Sequence, residues 1–529
     1  MNYPPEHRRR GEDAGTARGA DPQMTVSQPS AVEIGLMSGR AGYVLRANDR
    51  GAFTVASPTL YPHMWSWDAG FVALGIATVS VPRALAELRS LLSGQWATGM
   101  IPHILFHQPS DYFPGPDRWR TQVAAARPAG VLTSGICQPP IHVIALSRIL
   151  HDARRRGGAD QELAEDFVRE TFDQWLAWHS YLATARDPYS YGLVEIHHGW
   201  ESGMDDSPRW DAPYANVHPQ PDMPPFVRAD LAHVTDPSQR PTDAEYARYL
   251  WLLEQKVRSR YDDAVYRSTG DFVVGDVLVS ALLAAASDLL ADMGEELGIG
   301  QGAAGGVEQS RAIARRFRTG VLRSVDPATG LARDLDLRTG GWLDVESAAG
   351  FAPLLCGGDD ALTRRQRDLL LGPRWCGHSR LRWPVVPSVS PASPAFRGEK
   401  YWRGPQWPVL NWLMAWALNR SGEQEAANQL RLAGLSQLVD CDFAEYYQPM
   451  TGETLGSRDQ SWTAAIALDF LAARRPAQRR PVRWLTSELP RITPAQRAAN
   501  AAGLHPGHVA GHRPPHTRGP ATAPDGHLP

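Results

Sequence analysis

Apolar residues recur at helical spacing through nearly the whole middle of this 529-residue chain, and that periodicity restricts the architecture more than any other feature. It is clear in 84–92 (ALAELRSLL), 142–153, 164–183, 244–257, 275–293, 309–322, 407–420 and 461–473. With weaker segments the count reaches about a dozen helices, while the alternation expected of strands is scarce. A helical chain of this length must pair its helices about a common centre to bury their apolar faces, so an all-α toroid is predicted. No shift of composition cuts the middle, so 29–478 is read as one large domain. Residues 1–28 and 479–529 are polar, rich in Pro, Arg, His or Gly, and without apolar period, which predicts two disordered extensions.

Composition removes several function classes. The net charge of −3 provides no field for nucleic acid or anionic membrane. No uninterrupted apolar run approaches the ~18 residues of a bilayer span, and none follows Arg8–Arg10 to make a signal peptide. Four cysteines, Cys137, Cys356, Cys376 and Cys441, stand far apart with no CxxC, the pattern of buried thiols in a reducing compartment. A cytoplasmic enzyme or binding protein acting on a small molecule is the expectation. GQGAAG (300–305) follows a helix instead of a strand and so lacks the context of a dinucleotide loop. His197 and His198 have no further ligands at metal spacing. No nucleophile elbow or P-loop lysine occurs, and Trp251 with its neighbours is read as core.

The 18 tryptophans need a reason, and many fall in loops that also carry acids. HHGWESGMDDSPRWD (197–211) sets Glu201, Asp205, Asp206 and Asp211 among Trp200 and Trp210. A solvated acidic turn would account for it; so would a proton donor whose pKa is raised by apolar rings and by a neighbouring charge. EYYQPMTGETLGSRDQSWTAA begins at Glu445, and Ser461 within it reads as the N-cap of the last helix, with Trp462 entering it. Glu445 is either incidental to a connecting loop or a second carboxylate facing the first, the pair that glycoside hydrolysis requires. TLYPHMWSWDAGF (59–71) and EKYWRGPQWPVLNW (399–412) place Trp65, Trp67, Asp68, Tyr401, Trp402 and Trp407 at helix entrances, as a carbohydrate cleft would.

These strings, with GQWATGMIPHILF (94–106), DYFPGP (111–116), TSGICQPP (133–140) and SQRPTDAEYARYLW (238–251), resemble glycoside hydrolase family 63. The likeness covers about residues 30–475 and is nearest to the family's bacterial mannosylglycerate and glucosylglycerate hydrolases. It implies an (α/α)6 barrel and an inverting α-glycosidase that frees glucose or mannose from a small anionic glycoside. By that resemblance Asp205 is the general acid and Glu445 the general base. Inversion implies carboxyls roughly 6.5–9.5 Å apart, with a water between. Trp65, Trp67, Asp68, Gln138, Gly203, Trp402 and Trp407 would surround the non-reducing sugar. Tyr61, Tyr112, Arg240, Tyr401 and Gln460 would surround the glycerate end, where an arginine fork suits a carboxylate. No metal or organic cofactor is implied. Asp206 stands where many members carry Asn, and the Tyr-Tyr-Gln-Pro after Glu445 departs from the family's aromatic-Asp/Asn-Pro form. The alternatives are an α-glucosidase acting on trehalose-like or short glucosyl disaccharides, and a carbohydrate-binding protein that has lost turnover.

Overall fold

The computed structural model describes residues 28–107, 112–228, 231, 236–302 and 305–473. The two extensions expected at 1–28 and 479–529 lie outside the described residues except for Gln28.

The inner ring of helices includes two that are apolar on every side. Each residue of Ser66–Ala77 is buried, as is each of Ser461–Ala472 but the last. A helix without a polar face can only sit where neighbours surround it. The ring runs Ser66–Ala77, His142–Arg156, Val277–Leu297, Ala352–Cys356, Pro408–Arg420 and Ser461–Ala472, the last packing against the first. Each inner helix has an outer partner: in ring order these are Val81–Leu92, Gly158–Thr184, Gly306–Arg323, Asp360–Leu371, Gln424–Gln437 and Ala31–Asn48. The outer helices are amphipathic. Gly306–Arg323 buries Val307, Ser310, Ile313, Ala314, Phe317, Gly320 and Val321, a single stripe at helical spacing. The result is an (α/α)6 barrel: the periodicity led us to expect a toroid of paired helices, and the resemblance this particular barrel.

Two features come from the packing. A Cβ on Gly75 would lie 2.3 Å from the Ala465 backbone, so two inner helices touch at a distance only glycine allows. Val277–Leu297 is long and apolar enough to cross a bilayer by length and composition, but 83% of its apolar window is buried inside the ring.

Short antiparallel sheets brace the loops at the end of the barrel where inner helices begin. Met64–Trp65 pairs with Ile104–Phe106, which pairs with Leu132–Thr133. Val194–Ile196, Val274–Asp276, Asp334–Asp336 and Gly341–Leu343 form a second sheet, and Tyr446–Tyr447 pairs with Thr454–Leu455. Strands of two or three residues are too short to carry a readable alternation.

One local expectation is corrected. Ser461 does not cap the last inner helix: Gln460 is the N-cap, and Ser461 is already helical. The Ser461 hydroxyl instead donates to the Val55 carbonyl at 2.7 Å and accepts from Asn48 Nδ2 at 2.9 Å, tying the inner helix to the segment after its outer partner. Cys137, Cys356 and Cys376 are buried, and Cys441 is half-buried.

Candidate active site

The segment bearing Asp205 is shaped by a short 3-10 turn, Gly199–Ser202, followed by Gly203 at φ +70°. A Cβ at Gly203 would meet the Trp67 ring at 2.8 Å, so glycine provides both the left-handed turn and the close approach. Beneath the turn Glu201 is fully buried. It accepts from Arg186 Nη1 at 2.9 Å and Nη2 at 2.7 Å, from His197 N at 2.6 Å and from Cys137 N at 3.2 Å. Burial alone would raise the Glu201 carboxyl, but Arg186, with Lys256 and His197, more than offsets it and holds the group well below the usual range. His197 and His198 are props for the same turn. Lys256 Nζ lies 2.6 Å from His197 Nδ1, and His198 Nδ1 accepts from Trp200 N at 3.0 Å. On the far flank, buried Arg209 bridges Asp276 and Asp334 at 3.2 and 3.0 Å.

Glu445 sits just before the Tyr446–Tyr447 hairpin. Its Oε1 accepts from the Tyr61 hydroxyl and its Oε2 from Ser457 N, both at 2.9 Å. Both carboxyls face one pocket at the mouth of the barrel. Asp205 is pushed up to about 7, first by burial; Arg240 opposes this, while Glu445 and Asp206 add to it. Burial also raises Glu445, opposed by Arg240, the Ser457 N–H and the Tyr61 hydroxyl. Two donors thus favour the anion on Glu445, whereas no side chain among the described residues donates to Asp205. Asp68, also in the pocket, is raised well above its ordinary value by burial and by both carboxylates.

The pocket brings together Tyr61, Trp65, Trp67, Asp68, Tyr112, Gln138, Gly203, Asp205, Arg240, Tyr401, Trp402, Glu445 and Gln460. Arg240 lies over the Tyr401 ring at 4.5 Å, with Nη1 3.4 Å from the Tyr61 hydroxyl. Tyr401 itself holds φ at +35°, a costly backbone for a bulky residue, of the kind that clusters at binding sites. Tyr112 meets Trp65 edge-on at 5.2 Å. The Trp67 backbone N–H donates to Gln138 Oε1 at 3.2 Å.

Trp407 is a correction. It does not line the pocket. As the N-cap of Pro408–Arg420 it points into the barrel, fully buried, and stacks behind Trp402 at 3.7 Å between ring centroids and 4° between planes. Of the two tryptophans flanking the acidic segment, only Trp200 faces the pocket; Trp210 is buried under Arg209. Asp206 also turns away. It is 3.4 Å from the Tyr249 hydroxyl and 3.8 Å from both Lys400 and Arg403, and burial, partly offset by those two cations, pushes it up to about 6.

Sequence reasoning missed His103, Phe113, Tyr246, Tyr249 and Trp462 as pocket walls. Tyr246 and Tyr249 sit three apart on Asp243–Arg258, the helix on which Trp251 and its neighbours were read as core. His103 lay inside the GQWATGMIPHILF string and had no partner signal nearby.

Comparison with known proteins bears on the family and the fold. Residues 61–463 match the model of the mannosylglycerate hydrolase MGH1-like glycoside hydrolase domain. The glucosylglycerate hydrolase of Mycolicibacterium hassiacum is 51% identical over 454 residues, covering 85% of this chain and 99% of that protein. The mannosylglycerate hydrolase of Thermus thermophilus is 40% identical over 439 residues, covering 81% and 99%. A crystal structure of the GH63 mannosylglycerate hydrolase from another strain of Thermus thermophilus, in complex with Tris and D-glycerate, superposes with a TM-score of 0.74 at 37% identity. It covers 82% of this chain and 99% of that one. The chain belongs to the MGH1-like domain family of glycoside hydrolase family 63, and it is a glycoside hydrolase.

Proposed function

We propose that this enzyme hydrolyses a glycosylglycerate, glucosylglycerate or mannosylglycerate, to the free sugar and glycerate with inversion of the anomeric centre. The observation that carries the substrate class is the Arg240 guanidinium held between Tyr61 and Tyr401 beside the carboxyl pair. A neutral aglycone gains little from such a fork, whereas a carboxylate gains charge-assisted hydrogen bonds. The relative with 51% identity is named for glucosylglycerate and those at 34–40% for mannosylglycerate, so glucosylglycerate is the first compound to test.

In this mechanism Asp205, protonated near neutral pH, gives its proton to the glycosidic oxygen as the bond to the anomeric carbon breaks. Glu445 takes a proton from the water that attacks the opposite face. Tyr61 and Ser457 N–H hold the Glu445 carboxylate in place for that attack. Asp68 and Gln138 bind hydroxyls of the departing sugar, and Trp67 and Trp402 wall its ring. These steps run on the carboxyl pair alone. A cytoplasmic setting and a role in recycling a compatible solute complete the proposal.

The test is sugar release from glucosylglycerate, mannosylglycerate, glucosylglycerol and trehalose, with the product anomer followed by proton NMR. Turnover of a glycerate compound with the β-anomer appearing first is the expected outcome. Turnover confined to trehalose or glucosylglycerol would discard the anionic site, and an α-anomer appearing first would discard inversion.

A further inference from the structure

The side of the barrel away from the mouth carries a second hollow, of about 560 Å³. It follows from the length of one inner helix. Ala352–Cys356 stops after five residues, whereas its ring neighbours Val277–Leu297 and Pro408–Arg420 run for 21 and 13. Beyond Cys356 the inner wall is interrupted, and side chains from Gly306–Arg323, from the start of Asp360–Leu371 and from the end of Pro408–Arg420 surround the gap.

Three of those side chains are arginines. Arg318 donates from Nε to the Cys356 carbonyl at 2.6 Å and from Nη2 to Asp288. Arg420 Nη2 donates to the same Asp288 oxygen at 3.3 Å, so one carboxylate is divided between two guanidinia. Arg364 has no hydrogen-bond or ion-pair partner among the described residues. The acids of the lining are Glu423, which is held by Arg367 at 2.7 Å, and Asp360, which stands with the hydroxyls of Thr363 and Ser421.

We propose that this hollow is a second ligand site, which takes a phosphorylated sugar or polyol with its phosphate on Arg318, Arg364 and Arg420. A phosphate monoester brings close to two negative charges and three acceptor oxygens, and planar guanidinia with donors to spare match it. Bare phosphate would leave most of the volume empty, since hollows of this size hold whole small molecules. The remaining lining suits the rest of such a ligand. A carboxylate repels a second anion but accepts from sugar hydroxyls, as the Thr363 and Ser421 oxygens also do. The inner helices begin at the mouth and end here, so this site is separate from the one that holds Asp205 and Glu445.

The test is isothermal titration calorimetry of the full chain with glucose 6-phosphate, inorganic phosphate and glucose at constant ionic strength. Glucose 6-phosphate is expected to bind at least about tenfold more tightly than inorganic phosphate. Removing one guanidinium from a phosphate corresponds to about tenfold, so Arg364→Met and Arg420→Met should each weaken glucose 6-phosphate by that factor. Arg364 is exposed and unpaired, so its replacement should leave the melting temperature unchanged. Arg240→Met, at the mouth, should leave the affinity for glucose 6-phosphate unchanged, and any heat from glucose alone should be the same in Arg364→Met as in the wild type.

Three results would overturn the proposal: no binding of glucose 6-phosphate, equal affinity in the wild type, Arg364→Met and Arg420→Met, or binding lost in Arg240→Met alone. Inorganic phosphate binding as tightly as the ester would overturn the ligand class, because the sugar would then contribute nothing.

Discussion

Replacing Asp206 by Asn removes a buried charge next to Asp205, the proposed acid, while keeping the side chain's shape, and its effects on stability and catalysis have signs that can be worked out separately. Asp206 is 4% exposed, and its carboxyl moves from the ordinary 3.8 to about 6. Burial is the chief cause, Glu245 and Asp211 add to it, and Lys400 and Arg403 oppose it. A raised carboxyl pKa means that the folded state binds the proton more tightly than the unfolded chain. Its stabilising contribution is full below about pH 4 and is lost as the pH rises through 6. A displacement of about two units corresponds to roughly 3 kcal/mol of penalty on the ionised form. Asn escapes that penalty, so Asp206→Asn should match the wild type near pH 4 and gain on it up to about pH 7. For a folded unit of this size, 3 kcal/mol is a rise of about 3 °C in melting temperature. Catalysis should move the other way. As the proposed acid Asp205 needs its proton, and the Asp206 charge helps to retain it. The alkaline limb of kcat/KM, set by Asp205 near 7, should shift to lower pH by about half to one unit. Differential scanning fluorimetry across pH and a pH–rate profile give both readouts. A melting difference that is equal at every pH, together with an unmoved alkaline limb, would refute the reasoning.

Other outcomes follow from the same geometry. Asp205→Asn and Glu445→Gln should each lower kcat by roughly 10³-fold with circular dichroism unchanged, the loss typical of one acid or base. Should Asp205→Asn stay active and Asp206→Asn not, the two aspartates have exchanged roles. Arg240→Met should raise KM for a glycosylglycerate by ten- to a hundredfold, roughly, and shrink the preference for an anionic over a neutral aglycone; equal loss on both substrates would contradict the fork. Gly75→Val should destabilise by about 3 kcal/mol, read by melting, because the new Cβ meets Ala465 backbone at 2.3 Å and neither inner helix can move away.

Helices that bury one stripe or every side announce themselves in a single sequence, and most of the barrel was legible for that reason. The shortest inner helix, Ala352–Cys356, was not, because five residues span too few turns to show a period. In the site, Trp65, Trp67, Asp68, Asp205, Tyr401, Trp402 and Glu445 were read from loops that mix aromatic and acidic residues, whereas Tyr61, Tyr112, Gln138, Gly203, Arg240 and Gln460 rested on the family resemblance. Trp407 misled because its neighbours in the chain, Tyr401 and Trp402, do face the pocket; an N-cap residue six positions on turns inward instead. Tyr246 and Tyr249 were read as core because a helix stripe facing a cavity and one facing a neighbouring helix have the same period.

The order of apolar and acidic segments along the chain is enough to determine a ring of paired helices with two carboxylate-bearing loops, since helical periodicity and local turn chemistry act over a few residues. Which aspartate meets the pocket depended on tertiary structure. Asp205 and Asp206 are adjacent and chemically identical, and it is Asp206 that meets Tyr249 and, nearly two hundred positions away in the chain, Lys400 and Arg403. The same holds for protonation. The donors that favour an anion on Glu445 come from Tyr61 and Ser457, and the burial that keeps a proton on Asp205 comes from walls contributed by distant loops. Electric fields and desolvation depend on distances in space, and those exist only once the barrel has closed.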